Sequence, residues 1–231
     1  MNNEYFTYKV KVKNGAGWRA FDTARIHISV GQQYHEGEKF KATVDWAKDR
    51  FERVIICVND TLQRHNMEEI MTPAEAFLAA EAAGREWIER NISQIRRLPR
   101  YEIKRWEEWR SHADYQDELD RMVNAYHNNP AFTRQVEEEV QAFWDRHKKH
   151  DPALSEDGFA AFRTHSTTYL LEECAAFQIM FCRNKGVDIY PGSTLLPCKI
   201  SNISGLGDRG YTRIDFSRIE AASSAAQSMI R

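Results

Sequence analysis

At 231 residues, 42% of them apolar, the chain can bury a core without disulfides or a structural metal, which excludes a scaffold of stapled loops. Its 32 basic and 34 acidic residues leave a formal charge of −2, which excludes a uniformly basic nucleic-acid binder, so any polyanionic partner must be met by one face. The length fits one domain over residues 1–231.

TYKVKVK, NGAG and WRAF alternate in period two around a Gly-rich turn, the pattern of a β-hairpin. RIHISV, residues 25–30, sets Ile26, Ile28 and Val30 on one face and Arg25, His27 and Ser29 on the other. After the loop GQQYHEGEK, Phe40, Val44, Ala47 and Phe51 recur at helical spacing. The unbroken apolar run Val54 to Val58 reads as a strand covered on both faces. Strand, helix, strand is a βαβ unit, and an α/β fold with a mainly parallel sheet flanked by helices follows.

A long helix is expected from Pro73, with Thr72 as its N-cap, to Leu98, where Pro99 stops it. YEIKRW reads as the next strand, and residues 114–127 and 131–148 as two helices parted by Asn128, Asn129 and Pro130. A helix over 155–182 then leads to the strand VDIYPG, two further strands, LLPCKI and YTRIDFS, and a small-residue tail. Cys57, Cys174, Cys182 and Cys198 stand singly, as buried thiols of a reducing compartment do. No stretch approaches 18 apolar residues and MNNEYFTYKV lacks the layout of a signal peptide, so a soluble cytoplasmic protein is expected.

Gly205 to Gly210 spells G-x-G-x-x-G, but YTRIDF follows where a dinucleotide site needs a helix, so the stretch reads as a hairpin loop. His147 and His150 have metal-compatible helical spacing, yet no further ligand is spaced to complete a set, and they read as a solvated helix end. The acidic run from Glu107 to Asp120 likewise reads as solvated surface. Two features ask for more. Ser29 stands at the C-terminal end of a parallel strand two residues before Gly31, where open α/β sheets present reactive groups, although a Ser capping the next turn gives the same pattern. The stretch Arg85 to Arg105 carries seven basic against three acidic residues, either a phosphate-binding face or a solvated ridge.

Together these segments resemble the tRNA-dependent cyclodipeptide synthases over roughly residues 24 to 200. IHISVGQQY is similar to the family's nucleophile segment, TYLLEECAAF to its Tyr-x-x-x-Glu helix, and Tyr190-Pro191 of VDIYPG to the Tyr-Pro pair of its XYP subfamily. The resemblance implies a Rossmann-like domain similar to the catalytic domain of class I aminoacyl-tRNA synthetases. It also implies an aminoacyltransferase that makes a cyclic dipeptide from two aminoacyl-tRNAs, by a ping-pong route through an aminoacyl-serine and a dipeptidyl-enzyme. Ser29, Tyr169, Glu173 and Tyr190 would then be catalytic, Gln32, His27, Gly31 and Pro191 substrate-binding, and Arg85, Arg90, Arg96 and Arg97 a tRNA-binding group.

Within that reading Ser29 is the nucleophile, Glu173 holds the substrate's α-ammonium with Tyr169 one turn away, and Tyr190 orients Ser29 or relays a proton. His27 stands where many members have Gly and would line the first amino-acid pocket, unless it is a packed strand histidine. No His-Ile-Gly-His-like or Lys-Met-Ser-Lys-Ser-like signature is present, so activation of amino acids with ATP is not expected. Neither a metal, a cofactor nor a membrane is expected, and the chain should be a monomer. Two other readings stand beside it: a serine-dependent hydrolase or acyltransferase of small esters, which lacks a G-x-S-x-G elbow here, and a noncatalytic tRNA-binding module.

Overall fold

The computed structural model describes residues 7–13, 16–68, 70–150, 158–183, 185–192, 195–200, 203 and 211–219. Its strands are β1 (Thr7–Val12), β2 (Thr23–Ile28), β3 (Arg53–Val58), β4 (Tyr101–Arg105), β5 (Val187–Pro191) and β6 (Tyr211–Ile219). They make one sheet in the order β1-β6-β5-β2-β3-β4, in which only the β1–β6 pairing is antiparallel. The apolar runs of β2, β3 and β5 form its centre, and nearly every residue of these strands is buried, as both-sided coverage requires.

Helices α1 (Gly37–Lys48) and α2 (Pro73–Ile95) cover one face, where Phe40, Trp46 and Trp87 pack on Ile26, Ile28 and Ile56. The other face carries α3 (Trp106–Arg110), α4 (Tyr115–Asn128), α5 (Pro130–His150), α6 (Phe159–Arg183) and α7 (Leu196–Lys199), around a core that includes Phe132, Trp144 and Phe177. Every residue from Tyr169 to Met180 of α6 is buried. A helix apolar on all sides is one enclosed on all sides, and α6 lies against α3, α4, α5, α7 and the short 3-10 helix Thr61–Asn66.

Helix α2 begins where its sequence says, with Thr72 and Glu75 forming a reciprocal capping box and Pro73 in the first turn. It ends at Ile95, three residues before Leu98, with Arg96 as its C-cap. Two expected elements are different. The hairpin is absent: β1 pairs with β6, Thr7 opposite Ile219, and residues Ala16–Ala20 form a 3-10 turn. Trp18 there stacks edge-on against Trp46 and Phe51, so aromatic burial on α1 overrides the alternation of WRAF. LLPCKI is not a strand but the short helix α7, whose Pro197 suits a first helical turn and cannot donate to a ladder. The G-x-G-x-x-G stretch, the C-terminal tail, residues 155–157 and the Cys182 side chain lie outside the described residues. Cys57 and Cys174 are buried and Cys198 is partly buried.

Asp60, just past β3, ties the two helical layers together. Its buried carboxylate caps Thr61 N at 2.9 Å and accepts from Trp106 N at 3.2 Å and Arg105 Nε at 2.6 Å. Gly84 of α2 lets this happen, because a Cβ there would stand 2.3 Å from both Asp60 Cβ and Oδ2. Ala is ordinarily better than Gly inside a helix by about 1 kcal/mol. Gly84→Ala is nevertheless expected to destabilise by about 1–3 kcal/mol, since the carboxylate it displaces is fixed by three bonds. Denaturant unfolding checks this, and a variant as stable as the parent would contradict the close approach.

Candidate active site

An open parallel sheet presents a crevice where neighbouring strands lead off in opposite directions. Here that point lies between β2, which continues to β3, and β5, beyond which lies β6. Ser29 follows the end of β2 and Tyr190 sits near the end of β5, and the parallel register, Arg25 opposite Asp188, sets them on the same face of the sheet two residues apart. Ser29 Oγ lies 2.9 Å from Tyr190 Oη, and Tyr34 Oη lies 2.7 Å from the same phenol. Gly31, at φ +89°, turns the chain sharply after Ser29, and Gln32 N closes that turn on Ser29 O at 3.2 Å.

This hydroxyl chain opens on a cavity of about 720 Å³. Gln32, Tyr34 and Gly192 line it from the sheet side, Gln63 and Asn66 from the segment after β3, and Tyr169, Leu170 and Glu173 from α6. Tyr169 and Glu173 are one helical turn apart and both buried. Gln63 Nε2 donates to Tyr169 Oη at 3.1 Å. Burial, helped by the nearby Glu139 carboxylate, pushes the Glu173 carboxyl up to about 8, and among the described residues no cation pairs with it. Its neighbour Glu172 faces elsewhere and behaves oppositely. Although burial opposes ionisation there too, His65, at 3.2 Å, and Arg64, at 2.5 Å, hold it down to about 2.

Burial, followed by the influence of Tyr34, raises the Tyr190 phenol well above its ordinary range, and burial does the same for Tyr169, so both remain protonated hydroxyls. No imidazole hydrogen-bonds Ser29 among the described residues. The His35 ring packs against Tyr190, 5.5 Å between centroids; burial first and His27 second drive it down to about 3, so it is neutral.

The structure thus brings Ser29, Gln32, Tyr169, Glu173 and Tyr190 to one cavity. His27 is a correction: it shares the face of Ser29 but is fully buried, stacked on Phe177 at 4.2 Å with Nε2 2.8 Å from Asp188 Oδ1, and does not line the cavity. Its ring is held beneath α6 by that stack and by the Asp188 contact together. Gly31 and Pro191 shape the turns beside the cavity and do not line it. The four arginines of α2 and its cap also lie off the cavity. Arg90 pairs with Glu36 at 3.0 Å and Arg97 with Asp45, while Arg85 and Arg96 are exposed. Sequence reading missed the far wall, Glu139, Phe143, Arg146 and His147 of α5. His147, read as part of a solvated helix end, instead faces this cavity with its ring 5.2 Å from Phe162. The spacing of these four residues along one helical face was the available signal.

No family model matches the chain, and no curated protein matches its sequence. Solved structures do share its fold. A CDPS from Fluoribacter dumoffii superposes with a TM-score of 0.84 at 23% identity, over 93% of this chain and all of that one. The cyclodipeptide synthase from Candidatus Glomeribacter gigasporarum bound to Phe-tRNAPhe gives a TM-score of 0.69 at 19% identity, over 90% of this chain and 92% of that one. A Mycobacterium tuberculosis protein, whose structure demonstrates that cyclodipeptide synthetases are related to type I tRNA synthetases, gives 0.69 at 14% identity, over 95% of this chain and 96% of that one. The chain therefore has the α/β fold of these proteins.

A buried carboxyl without a cation has a measurable signature. With a folded value of about 8 against an ordinary 4.5, Glu173 binds its proton more tightly in the folded than in the unfolded state. Its contribution is therefore fully present below pH about 4.5, declines as pH rises through that window, and levels off above about 8. Each unit corresponds to about 1.4 kcal/mol. Glu173→Gln keeps the shape and removes the ionisation, so it should match the parent near pH 4 and exceed its melting temperature increasingly towards pH 8.5. A variant less stable than the parent at pH 8.5 would mean that the carboxylate has a cationic partner.

Proposed function

We propose that the chain is a cyclodipeptide synthase, an aminoacyltransferase that joins two aminoacyl groups from charged tRNAs into a diketopiperazine. The observation that carries this reading is the Ser29 Oγ contact with Tyr190 Oη, 2.9 Å, at the mouth of a cavity whose wall holds an unpaired buried carboxyl, Glu173. The fold shared with cyclodipeptide synthases, one of them bound to Phe-tRNAPhe, supports the substrate class.

The chemistry suits what the site offers. An aminoacyl ester is already activated, so the protein needs a positioned nucleophile and proton traffic. Ser29 Oγ attacks the ester carbonyl of the first aminoacyl-tRNA; the carbonyl carbon's bond to the ribose oxygen breaks, and the serine proton reaches that oxygen through the Tyr190 and Tyr34 hydroxyls. The aminoacyl-serine keeps a free α-ammonium beside Glu173. A carboxyl near 8 matches an α-amino group, whose ordinary value is about 8, so Glu173 can both hold this ammonium and take its proton. The freed amine attacks the ester carbonyl of the second aminoacyl-tRNA; an amide forms as the carbonyl carbon's bond to the ribose oxygen breaks, and that oxygen leaves with the proton the nitrogen gives up. The new terminal amine, once neutral, then attacks the seryl ester, closing the ring as the carbonyl carbon's bond to Ser29 Oγ breaks, and the proton the nitrogen gives up passes through Tyr190 to Ser29 Oγ. A serine hydrolase is less well served, since no imidazole base contacts Ser29 among the described residues.

Expression in a bacterial host with mass spectrometry of the medium tests the proposal and identifies both amino acids from the product mass. Ser29→Ala should abolish the product at an unchanged melting temperature, and full yield from this variant would remove Ser29 as nucleophile. Glu173→Gln should slow acylation of Ser29 roughly ten- to a hundredfold, as loss of a charge-assisted bond of about 1.5–3 kcal/mol predicts.

The exposed Arg85 and Arg96 are the fairer test of tRNA docking, because reversing Arg97 would also repel Asp45. The double variant Arg85→Glu, Arg96→Glu should raise the KM for both charged tRNAs without changing which product forms, since phosphate contacts position and do not specify. An unchanged KM at about 150 mM salt would mean a merely solvated ridge.

A further inference from the structure

Behind the cavity, outside the proposed acyl-transfer machinery, three side chains converge whose arrangement the function does not explain. His65 lies in the last turn of the 3-10 helix Thr61–Asn66, Glu68 follows it by three residues, and His165 comes from the first half of α6. One donor atom from each lies within 4.8 Å of the others. Glu68 Oε2 is 3.1 Å from His165 Nδ1 and 3.6 Å from His65 Nδ1. We infer that His65, Glu68 and His165 form a binding site for a zinc-class divalent cation that clamps the segment after β3 to α6.

The donor set and its spacing fit such an ion. Ligand atoms about 2.1 Å from a tetrahedral zinc lie about 3.4 Å from one another, between the two separations observed. Two imidazoles and one carboxylate leave the fourth position to water, and the partly exposed His165 gives solvent a way in. A borderline-soft ion is favoured over magnesium or calcium, which prefer all-oxygen shells.

A second observation points the same way. The His65 side chain is only 7% exposed, yet its Nδ1 has no hydrogen-bond partner, the Glu68 carboxylate it faces standing 3.6 Å away. Buried imidazole nitrogens are ordinarily satisfied. With Nδ1 directed at Glu68 and Nε2 3.2 Å from Glu172 Oε1, the ring has the pose of a metal ligand oriented by an outer carboxylate. Glu172 is itself anchored by Arg64, so the supporting shell is fixed before an ion arrives.

The clamp would join the two elements that build one wall of the cavity. Gln63 precedes His65 by two residues, Tyr169 follows His165 by four, and these two meet in the 3.1 Å hydrogen bond already described. Holding the helix and the turn together at the ion would keep that bond in register. The proposal does not depend on the catalytic reading, because binding is read without activity.

The test uses full-length protein stripped with EDTA and dialysed, then titrated with Zn²⁺ by calorimetry and followed by thermal unfolding. One zinc per chain is expected, with a melting temperature that rises by several degrees in excess metal, while Mg²⁺ does neither. His165→Ala and Glu68→Gln, both at partly exposed positions, should each weaken zinc binding at least tenfold and erase the thermal shift while unfolding cooperatively without metal. Cobalt(II) supplies the donor identity: visible bands of a tetrahedral nitrogen and oxygen site should appear in the parent and vanish in His165→Ala. Equal zinc affinity in parent and variants, no thermal shift in the parent, or thiolate charge-transfer bands that place cobalt on a cysteine would each overturn the proposal.

Discussion

Arg25 and Asp188 face each other across the β2–β5 pairing, both buried, with Arg25 Nε 2.6 Å from Asp188 Oδ1 and Nη2 3.0 Å from Oδ2. Burial by itself would favour the neutral acid, yet Arg25 and His27 hold Asp188 well below its usual range. Removing two charges from water costs several kcal/mol, so the net stabilisation from such a pair is small. What it supplies is register. A slip of one residue between β2 and β5 would strand a guanidinium in the core and turn Ser29 away from Tyr190, because side chains alternate across a strand. The hydroxyl contact at the top of the sheet therefore depends on an ion pair at its centre. Arg25 Nη2 also donates to Gly186 O at 3.0 Å, fixing the approach to β5 as well as its pairing.

Above this point the protein treats two adjacent glutamates in opposite ways. Glu172 has Arg64 and His65 and is ionised throughout the ordinary pH range, whereas Glu173 has burial and Glu139 and is close to half-protonated at slightly alkaline pH. Only the second is free to exchange a proton with an amine of similar basicity. The folded state bears the penalty of that arrangement, as expected where a site is built for a ligand rather than for its own stability.

The βαβ core was legible because its signals are local: an alternating β2, a solid apolar β3, and Thr72 with Pro73 and Glu75 at the head of α2. Ser29 was legible for the same reason, as the last facing residue of a strand before a glycine that must adopt positive φ. β1 was misread because its partner lies some two hundred residues away at β6, and no short pattern announces such a pairing. His27 could be placed on a face but not at a depth, since Phe177 comes from a helix far along the chain. The same limit hid His65, Glu68 and His165, whose pairing spans a hundred residues. The α5 wall was hidden differently: Glu139, Arg146 and His147 have the composition of a solvated surface, and only the cavity gives that surface a purpose.

Helix α6 resolves how these demands are met together. Around its circumference, Phe177 stacks on the His27 ring towards the sheet, Glu172 reaches Arg64, and Tyr169 with Glu173 turns to the cavity. Residues one position apart on a helix differ by about 100° in direction, so a rotation that served one contact better would break the others. Glu172 and Glu173 are the sharpest case: a rotation of about 100° that carried Glu173 round to Arg64 would bring Cys174 to the cavity in its place and leave the site without its carboxyl. Because the ring stack ties α6 to β2 and the Arg64 pair ties it to the turn after β3, its rotation is set by both sides of the crevice at once. The distance from Ser29 to Glu173 is then a property of the whole sheet and helix assembly, and not of the loops that rim the site.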